Sequence, residues 1–397
     1  MILKLPKSCS ISHRLFNLFY LIIGLSVGVV STLCLTSFSF TIPSSLSFFI
    51  PPSIISKPSS ISPPPLPPPV LQIIPVVSTG TVNVDVSLMK NNNQSFGLMH
   101  NMSDDELLSK ASTAQDENNN NVVGNYKVAF MFLTPGRLPL APFWDRFFKG
   151  YEGKYSIYVH PHPSYNESVP QDSAFYARRI PSQSVYWGQL TMIDAERRLL
   201  ANALLDPSNQ RFVLLSDSCI PVFNFTRVYN HIMGANLSSL QIFDDPRKAG
   251  RGRYIPQMWP EVTIEQWRKG SQWFEIHSEL AVKIVSDKKY YKLFSEFCVQ
   301  PCFNDEHYFP TLVNILFPEM NSNRTLTWVD WSRGGPHPRK FGWIDVKFEM
   351  LNHIRFDYEC EYNGNTTNIC HLFARKFLSN TLRPLLKTAP SLLGFDP

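Results

Sequence analysis

From Leu15 to Ser56 the chain carries no charged residue, and that gap constrains the molecule more than any other feature. Its first part, Leu15–Phe40, is dominated by Leu, Ile, Val and Phe. A helix of about 20 apolar residues spans a bilayer. Lys4, Lys7 and Arg14 precede the run and the next basic residue is Lys57, so the positive-inside rule predicts a cytoplasmic N-terminus with the rest of the chain lumenal. The competing reading is a cleaved signal peptide, whose apolar stretch is usually about 7–15 residues and ends in a small-residue cleavage site. This run is longer, and no clear site follows it. The expectation is a cytoplasmic tail at 1–14 and a single membrane anchor at 15–40.

Beyond the anchor the composition changes twice. Residues 51–75 are proline-rich, with the run Pro63-Pro64-Pro65-Leu66-Pro67-Pro68-Pro69, which favours an extended polyproline spacer. Residues 90–125 are rich in Asn, Ser and Asp, with Asn118 to Asn121 near their end, and are too polar to bury a core of their own. Residues 41–125 therefore read as a disordered stem. Nearly all the tryptophans lie after Tyr126, so 126–397 is the part expected to fold around one large core. Asn-x-Ser/Thr occurs at Asn93, Asn101, Asn166, Asn224, Asn236, Asn323 and Asn365, all after the anchor, as a lumenal domain requires. Five cysteines follow the anchor, an odd number, so at least one thiol is free or pairs between chains. Cys360 and Cys370 flank a polar loop they could close, and Cys298 and Cys302 are near neighbours. No His-x-x-Cys or paired Cys-x-x-Cys supports zinc. The net charge of +5 includes no long basic run interleaved with aromatics, which argues against nucleic acid as a partner.

Strands and helices alternate in the C-terminal part. Lys127–Leu133 reads as a buried strand, followed by a turn at Pro135-Gly136 and an amphipathic helix through Trp144–Phe148. Tyr155–Val159 reads as a second strand and Val185–Trp187 as a short third. Thr191–Leu205 has helical periodicity, with Ile193, Leu199 and Leu200 on one face and Glu196, Arg197 and Arg198 expected to face water. Arg211–Leu215 is a fourth strand. Helical patterns follow around Ser278–Val285 and Glu306–Leu316, and Leu326–Trp331 reads as an aromatic strand. The alternation predicts an α/β layered sheet. Ligands of such sheets bind at the carboxyl ends of the strands, which here carry Thr134-Pro135, His160-Pro161-His162, Trp187-Gly188 and Asp217.

Seven ordered blocks, VAFMFLTPGRLPL, YSIYVHPHP, WGQLTMIDAERRLLANAL, RFVLLSDSCIP, DEHYFPTL, LTWVDWSRGGPHP and ICHLFARKF, cover nearly all of 126–385. Together they resemble the plant members of the core-2/I-branching β-1,6-N-acetylglucosaminyltransferase family. The resemblance implies a GT-A-like nucleotide-sugar-binding fold, a Rossmann-like mixed sheet flanked by helices, preceded here by the transmembrane helix and stem. It also implies a single-pass type II protein of the Golgi membrane, acting on a plant cell-wall or glycoprotein glycan. The donor would be a UDP-sugar such as UDP-N-acetylglucosamine, transferred with inversion to an acceptor hydroxyl, with no metal cofactor.

Inversion needs one carboxylate to take the proton of the attacking hydroxyl. Glu306 begins a helical pattern in Asn304-Asp305-Glu306-His307, where an acid is also an ordinary helix-start residue; the family's catalytic glutamate falls in this block, with Asp305 as rival. The leaving diphosphate needs a cation. Metal-dependent transferases commonly carry Asp-x-Asp after a strand, whereas Ser216-Asp217-Ser218-Cys219 offers one acid. The family uses a lysine and an arginine instead: Lys376 matches the first, and Arg355 is the candidate for the second, with Arg333 and Arg375 also open. Leu133, Thr134 and Pro135 match the family's first-strand exit and so its donor side. His160, also assigned to the donor side, stands with Pro161 and His162 where the family has an acidic residue followed by basic ones. That departure motivates an alternative function, a membrane-anchored carbohydrate-binding or scaffold protein without activity. Sugar faces stack on aromatic rings, and of Trp259, Trp267, Trp273 and Trp331 the resemblance favours Trp331, in whose block the family has an acceptor-side tryptophan; Trp273 is the second candidate, with Arg253 from the basic loop Arg251-Gly252-Arg253-Tyr254.

Overall fold

The computed structural model describes residues 98–118 and 126–394. The expected tail, the anchor and most of the stem lie outside these residues. Among the described residues no helix is long and apolar enough to cross a membrane.

The chain enters through α1 (Asp104–Asn118) and then forms β1 (Lys127–Leu133), α2 (Ala141–Phe148), β2 (Tyr155–His160), α3 (Leu190–Leu204) and β3 (Asn209–Ser216). After β3 come the short β4 (Ile220–Pro221), α4 (Phe225–Met233), β5 (Glu275–His277), α5 (Ser278–Ser286), α6 (Lys289–Phe297) and α7 (Asn304–Leu316). The C-terminal part adds β6 (Thr327–Val329), α8 (Phe348–Phe356), the β7 (Cys360–Tyr362) and β8 (Asn365–Thr367) hairpin, β9 (Phe373–Arg375) and α9 (Leu382–Leu392). β1, with the sequence Lys-Val-Ala-Phe-Met-Phe-Leu, is buried from Val128 onward, as a central parallel strand covered on both faces must be. It pairs in parallel with β2 on one side and β3 on the other, and β5 closes the edge antiparallel to β3. A smaller sheet runs in the order β4-β9-β6. This mixed α/β arrangement of sheet and flanking helices fits a GT-A-like fold.

Alternation along the strands separates two apolar layers. Val128, Phe130, Phe132, Val213 and Leu215 face the aromatic side chains of α2 and the small sheet. Ala129, Met131, Leu133, Tyr158, Phe212 and Leu214 face α3, α5 and α7. Parallel pairing also brings three strand ends level: Leu133 is in register with His160 and with Ser216. Any ligand at that edge therefore meets residues from three strands at once.

Several expectations change. The stem boundary at 125 is too late. Leu107 and Ala111 of α1 are fully buried, and α1 packs on α3 and α5. Its start carries a capping box: the Ser103 N–H donates to Glu106 Oε2 (2.8 Å) and the Glu106 N–H to Ser103 Oγ (3.3 Å), which satisfies two otherwise unpaired donors. Val185–Trp187 is not a strand but the turn into α3: the Gln189 N–H donates to the Tyr186 carbonyl (3.1 Å) and the Tyr186 N–H to Thr191 Oγ1 (3.0 Å). Glu196, Arg197 and Arg198 are buried rather than wet, because α1, α5 and α7 cover the side of α3 turned away from the sheet. Each finds partners there. Arg197 donates to the Val285 and Asp287 carbonyls (3.0 and 2.8 Å) and lies over Tyr291. Gln272 Nε2 donates to Glu196 Oε1 (2.9 Å). Cys298–Cys302 and Cys360–Cys370 are disulfides, and Cys219 is a buried free thiol.

Candidate active site

Glu306 lies in the first turn of α7, and its side chain keeps 22% of its surface exposed. Arg253 Nη1 donates to Glu306 Oε2 (2.6 Å), and Lys269 makes a direct ion pair with the same oxygen. Burial alone would raise the pKa of this carboxyl. The charge and hydrogen bond of Lys269, followed by those of Arg253, outweigh burial and hold it below the ordinary glutamate range. Glu306 is thus ionised at neutral pH and aimed by two cations.

Both cations are themselves fixed. Lys269 exchanges two backbone hydrogen bonds with Phe243 (2.9 and 3.0 Å). Beside it the Gly270 N–H donates to the Glu306 carbonyl (2.8 Å). A side chain at 270 has no room, since a Cβ would stand 2.0 Å from the Gln241 carbonyl oxygen and 2.7 Å from Pro310 Cγ. The Arg253 guanidinium stacks on Phe303 at 4.1 Å. Phe303 follows the Cys298–Cys302 disulfide and meets Trp187 at 4.9 Å, and Trp187 meets His337 at 5.2 Å.

The other members of the block face inward. Asp305 is buried, and burial first, then the neighbouring Glu306 charge, push its pKa up to about 6. His307 accepts no external role either: Nδ1 pairs with the Arg268 carbonyl (2.7 Å) and the ring stacks on Trp267. Burial pushes its pKa down to about 4, so it docks α7 as a neutral group. Of the two acids, Glu306 is the one that a substrate can reach.

A second polar group collects where β3 and β9 end. Asp217 follows β3, Arg375 ends β9 and Lys376 comes next. Burial raises the Asp217 pKa, and Arg375 and then Lys376 pull it back. Burial and then Arg375 lower the Lys376 pKa. The Phe377 N–H donates to the Ser218 carbonyl (2.9 Å) and the Phe341 N–H to the Lys376 carbonyl (2.8 Å), which fixes the backbone on both sides of the lysine. The Arg375 guanidinium lies 4.0 Å over the Trp273 ring. Trp273 is only three residues from Gly270, a span of at most about 11 Å in an extended chain. One short segment, 269–273, therefore touches both the Glu306 carboxylate and the arginine next to Lys376.

The structure sorts the sequence candidates. It brings Glu306 and Arg253 into contact, and places Lys376 beside Arg375 and Asp217. For Arg355 it shows other partners. Arg355 in α8 stacks on Phe223 and Phe356 and feels the charge of Arg227. Phe223 follows Val222, whose N–H bonds the Leu372 carbonyl at the start of β9. Lys376 lies four residues further on, about 13 Å at strand rise. Arg375 is the arginine next to Lys376. Trp273 is buried with one face under Arg375, so it offers no free face to a sugar. Trp331, just beyond β6, is 52% exposed. Leu133 and Thr134 are buried at the β1 exit, and Pro135 is exposed. His160 is 1% exposed and turned away from that edge. By alternation it shares the Tyr158 face, and its Nε2 meets Arg198 Nη1 at 3.0 Å. At His160 the difference from the family pattern is thus a change inside the fold. Lys269, Phe303 and His337 escaped sequence reasoning as site residues, because a lone lysine or aromatic carries no local signal; Trp187 was noted only at a supposed strand end.

An acid oriented by two cations beside the carboxyl edge of a mixed sheet, with a lysine and an arginine at the next strand end, is the layout of a group-transfer enzyme acting on sugars. The core-2/I-branching enzyme family matches residues 128–355, and the chain belongs to that family. It is 34% identical over 300 residues, covering 64% of this chain and 74% of the other, to a protein of Oryza sativa subsp. japonica named glycosyltransferase BC10. The chain is a glycosyltransferase. The family match ends before Arg375 and Lys376 and begins after α1.

Proposed function

We propose that the protein transfers a sugar, N-acetylglucosamine or a close relative, from a UDP-sugar to a glycan hydroxyl with inversion and without a metal ion. Glu306 takes the proton from the acceptor hydroxyl as that oxygen attacks the anomeric carbon. Arg253 and Lys269 keep the carboxylate ionised and pointed. Lys376 and Arg375 face the charge that develops on the departing diphosphate, work for which fixed cations are suited. The donor lies along the Leu133–Thr134–Pro135 exit. The acceptor rests against Trp331 and the exposed face of Trp187. Residues 15–40 anchor the protein in the Golgi membrane as a single-pass type II protein, with the catalytic domain in the lumen.

The observation that carries this reading is the Glu306 carboxylate seated between Arg253 and Lys269, joined through residues 269–273 to the arginine beside Lys376. Asp217 adds support for metal independence, because its charged neighbours are cations. The test is a screen of UDP-sugars for hydrolysis and transfer, run with and without excess chelator. Turnover of a UDP-sugar that persists in chelator is expected. Turnover that vanishes in chelator and returns with manganese would remove the metal-free mechanism.

A further inference from the structure

Helix α1 lies outside the region that matches the family, yet it reaches the donor edge through three side chains. Asp104 accepts two hydrogen bonds from Arg198, from Nε to Oδ1 (2.7 Å) and from Nη2 to Oδ2 (2.6 Å). The paired fork geometry fixes the guanidinium plane. Its remaining arm, Nη1, meets His160 Nε2 at 3.0 Å. A guanidinium can only donate, so Nε2 is the acceptor and the imidazole carries its proton on Nδ1. The Gln183 N–H donates to the same nitrogen (3.4 Å), and Gln183 Nε2 returns to Asp104 Oδ2 (3.2 Å).

His160 is the last residue of β2. Its carbonyl accepts the Thr134 N–H (3.1 Å), and it is in register with Leu133. The residue that carries the ring therefore also holds the backbone that shapes the β1 exit. Arg198 is 4% exposed, so losing its anion leaves a buried charge that must find new partners. Burial holds the His160 pKa down to about 4, in keeping with a neutral ring.

We propose that Asp104 is a positioning residue for donor binding: through Arg198 it sets the His160 ring and with it the joined ends of β1 and β2. The inference rests on the reading that the nucleotide lies along that edge. Docking of α1 is a separate matter, since it uses Leu107 and Ala111. Asp104 also borders a cavity of about 150 Å³ lined by His100, Leu107, Pro181 and Gln183, and its side chain is 41% exposed, so removing its carboxylate takes away surface rather than core.

The experiment compares the whole chain with its D104A, D104E and L107A variants. UDP affinity is measured by calorimetry, KM and kcat by UDP-sugar turnover, and Tm by thermal unfolding. D104A is expected to weaken UDP binding and raise the donor KM roughly tenfold, with kcat within about twofold of wild type. D104E restores most of the affinity. L107A lowers Tm and leaves the UDP affinity in place. Wild-type UDP affinity in D104A would overturn the positioning role alone, as would an equal loss of affinity in D104A and L107A. A wild-type chain that binds neither UDP nor any UDP-sugar would sink the donor reading, and the positioning role with it.

Discussion

Behind β1, Phe130 meets Trp144, Phe147 and Phe148 and Phe132 meets Trp144, with ring centroids 5.0–6.2 Å apart. In front of it, Ala129, Met131 and Leu133 face a layer in which Glu196, Arg197, Arg198 and His160 are buried among apolar side chains. The aromatic face is held by area and edge-to-face packing, which tolerate small displacements. The polar face has few acceptable arrangements, because each buried charge must keep its partners. The Glu306 carboxylate hangs from the second face: α7 docks there through His307, and α1 covers it with Leu107 and Ala111. The polar face sets the geometry around Glu306, whereas the aromatic layer supplies stability and backs β9, whose end carries Arg375 and Lys376.

The sharpest way to break that division is at the acid. Glu306→Gln keeps shape and removes the base, so transfer should fall about 10⁴-fold while Tm stays at the wild-type value. Retained turnover would end the assignment. Next is Phe147→Ala on the aromatic face, expected to cost about 3–5 kcal/mol in urea unfolding. Its KM and kcat, per folded molecule, should match wild type; a selective loss of kcat would show that the aromatic face also sets the site. The smallest effect is electrostatic. Asp305 titrates near 3.8 when exposed but at about 6 in the fold. The stability it contributes is therefore complete below pH 3.8 and is lost as the pH climbs through 6. Asp305→Asn cannot titrate, so its Tm relative to wild type should rise by a few degrees from pH 4 to pH 7. A flat difference would mean that Asp305 is charged throughout, and that the polar face holds its anions more cheaply than burial implies.

Much of this was legible in the chain. β1, β2, β3, α3, α5 and α7 were placed within a residue or two of their ends, because their apolar periods are strong and their flanks carry turn residues. Glu306 was found as an acid at a helix start. What periodicity could not give was the number of layers. A helix with one apolar face reads as half-wet, and only the return of α1, α5 and α7 to its far side buries Glu196, Arg197 and Arg198. For α1 the signal was present, since Ser103 and Glu106 have capping-box spacing before Leu107 and Ala111, but the Asn-rich surroundings outweighed it. Seeing Asp217 meet Arg375 and Lys376 needed the pairing of β4 with β9, which brings together residues some 150 positions apart. No local pattern could have supplied it.

Gly270 has a practical consequence. Since nothing larger fits between the Gln241 carbonyl and Pro310, the joint that carries Lys269 and holds the Glu306 backbone cannot be retuned by substitution. An engineer who wants a different specificity must leave that joint alone, and Trp187 with it because its ring rests on the Phe303 that carries Arg253, and work at the rim, in the exposed loop around Trp331.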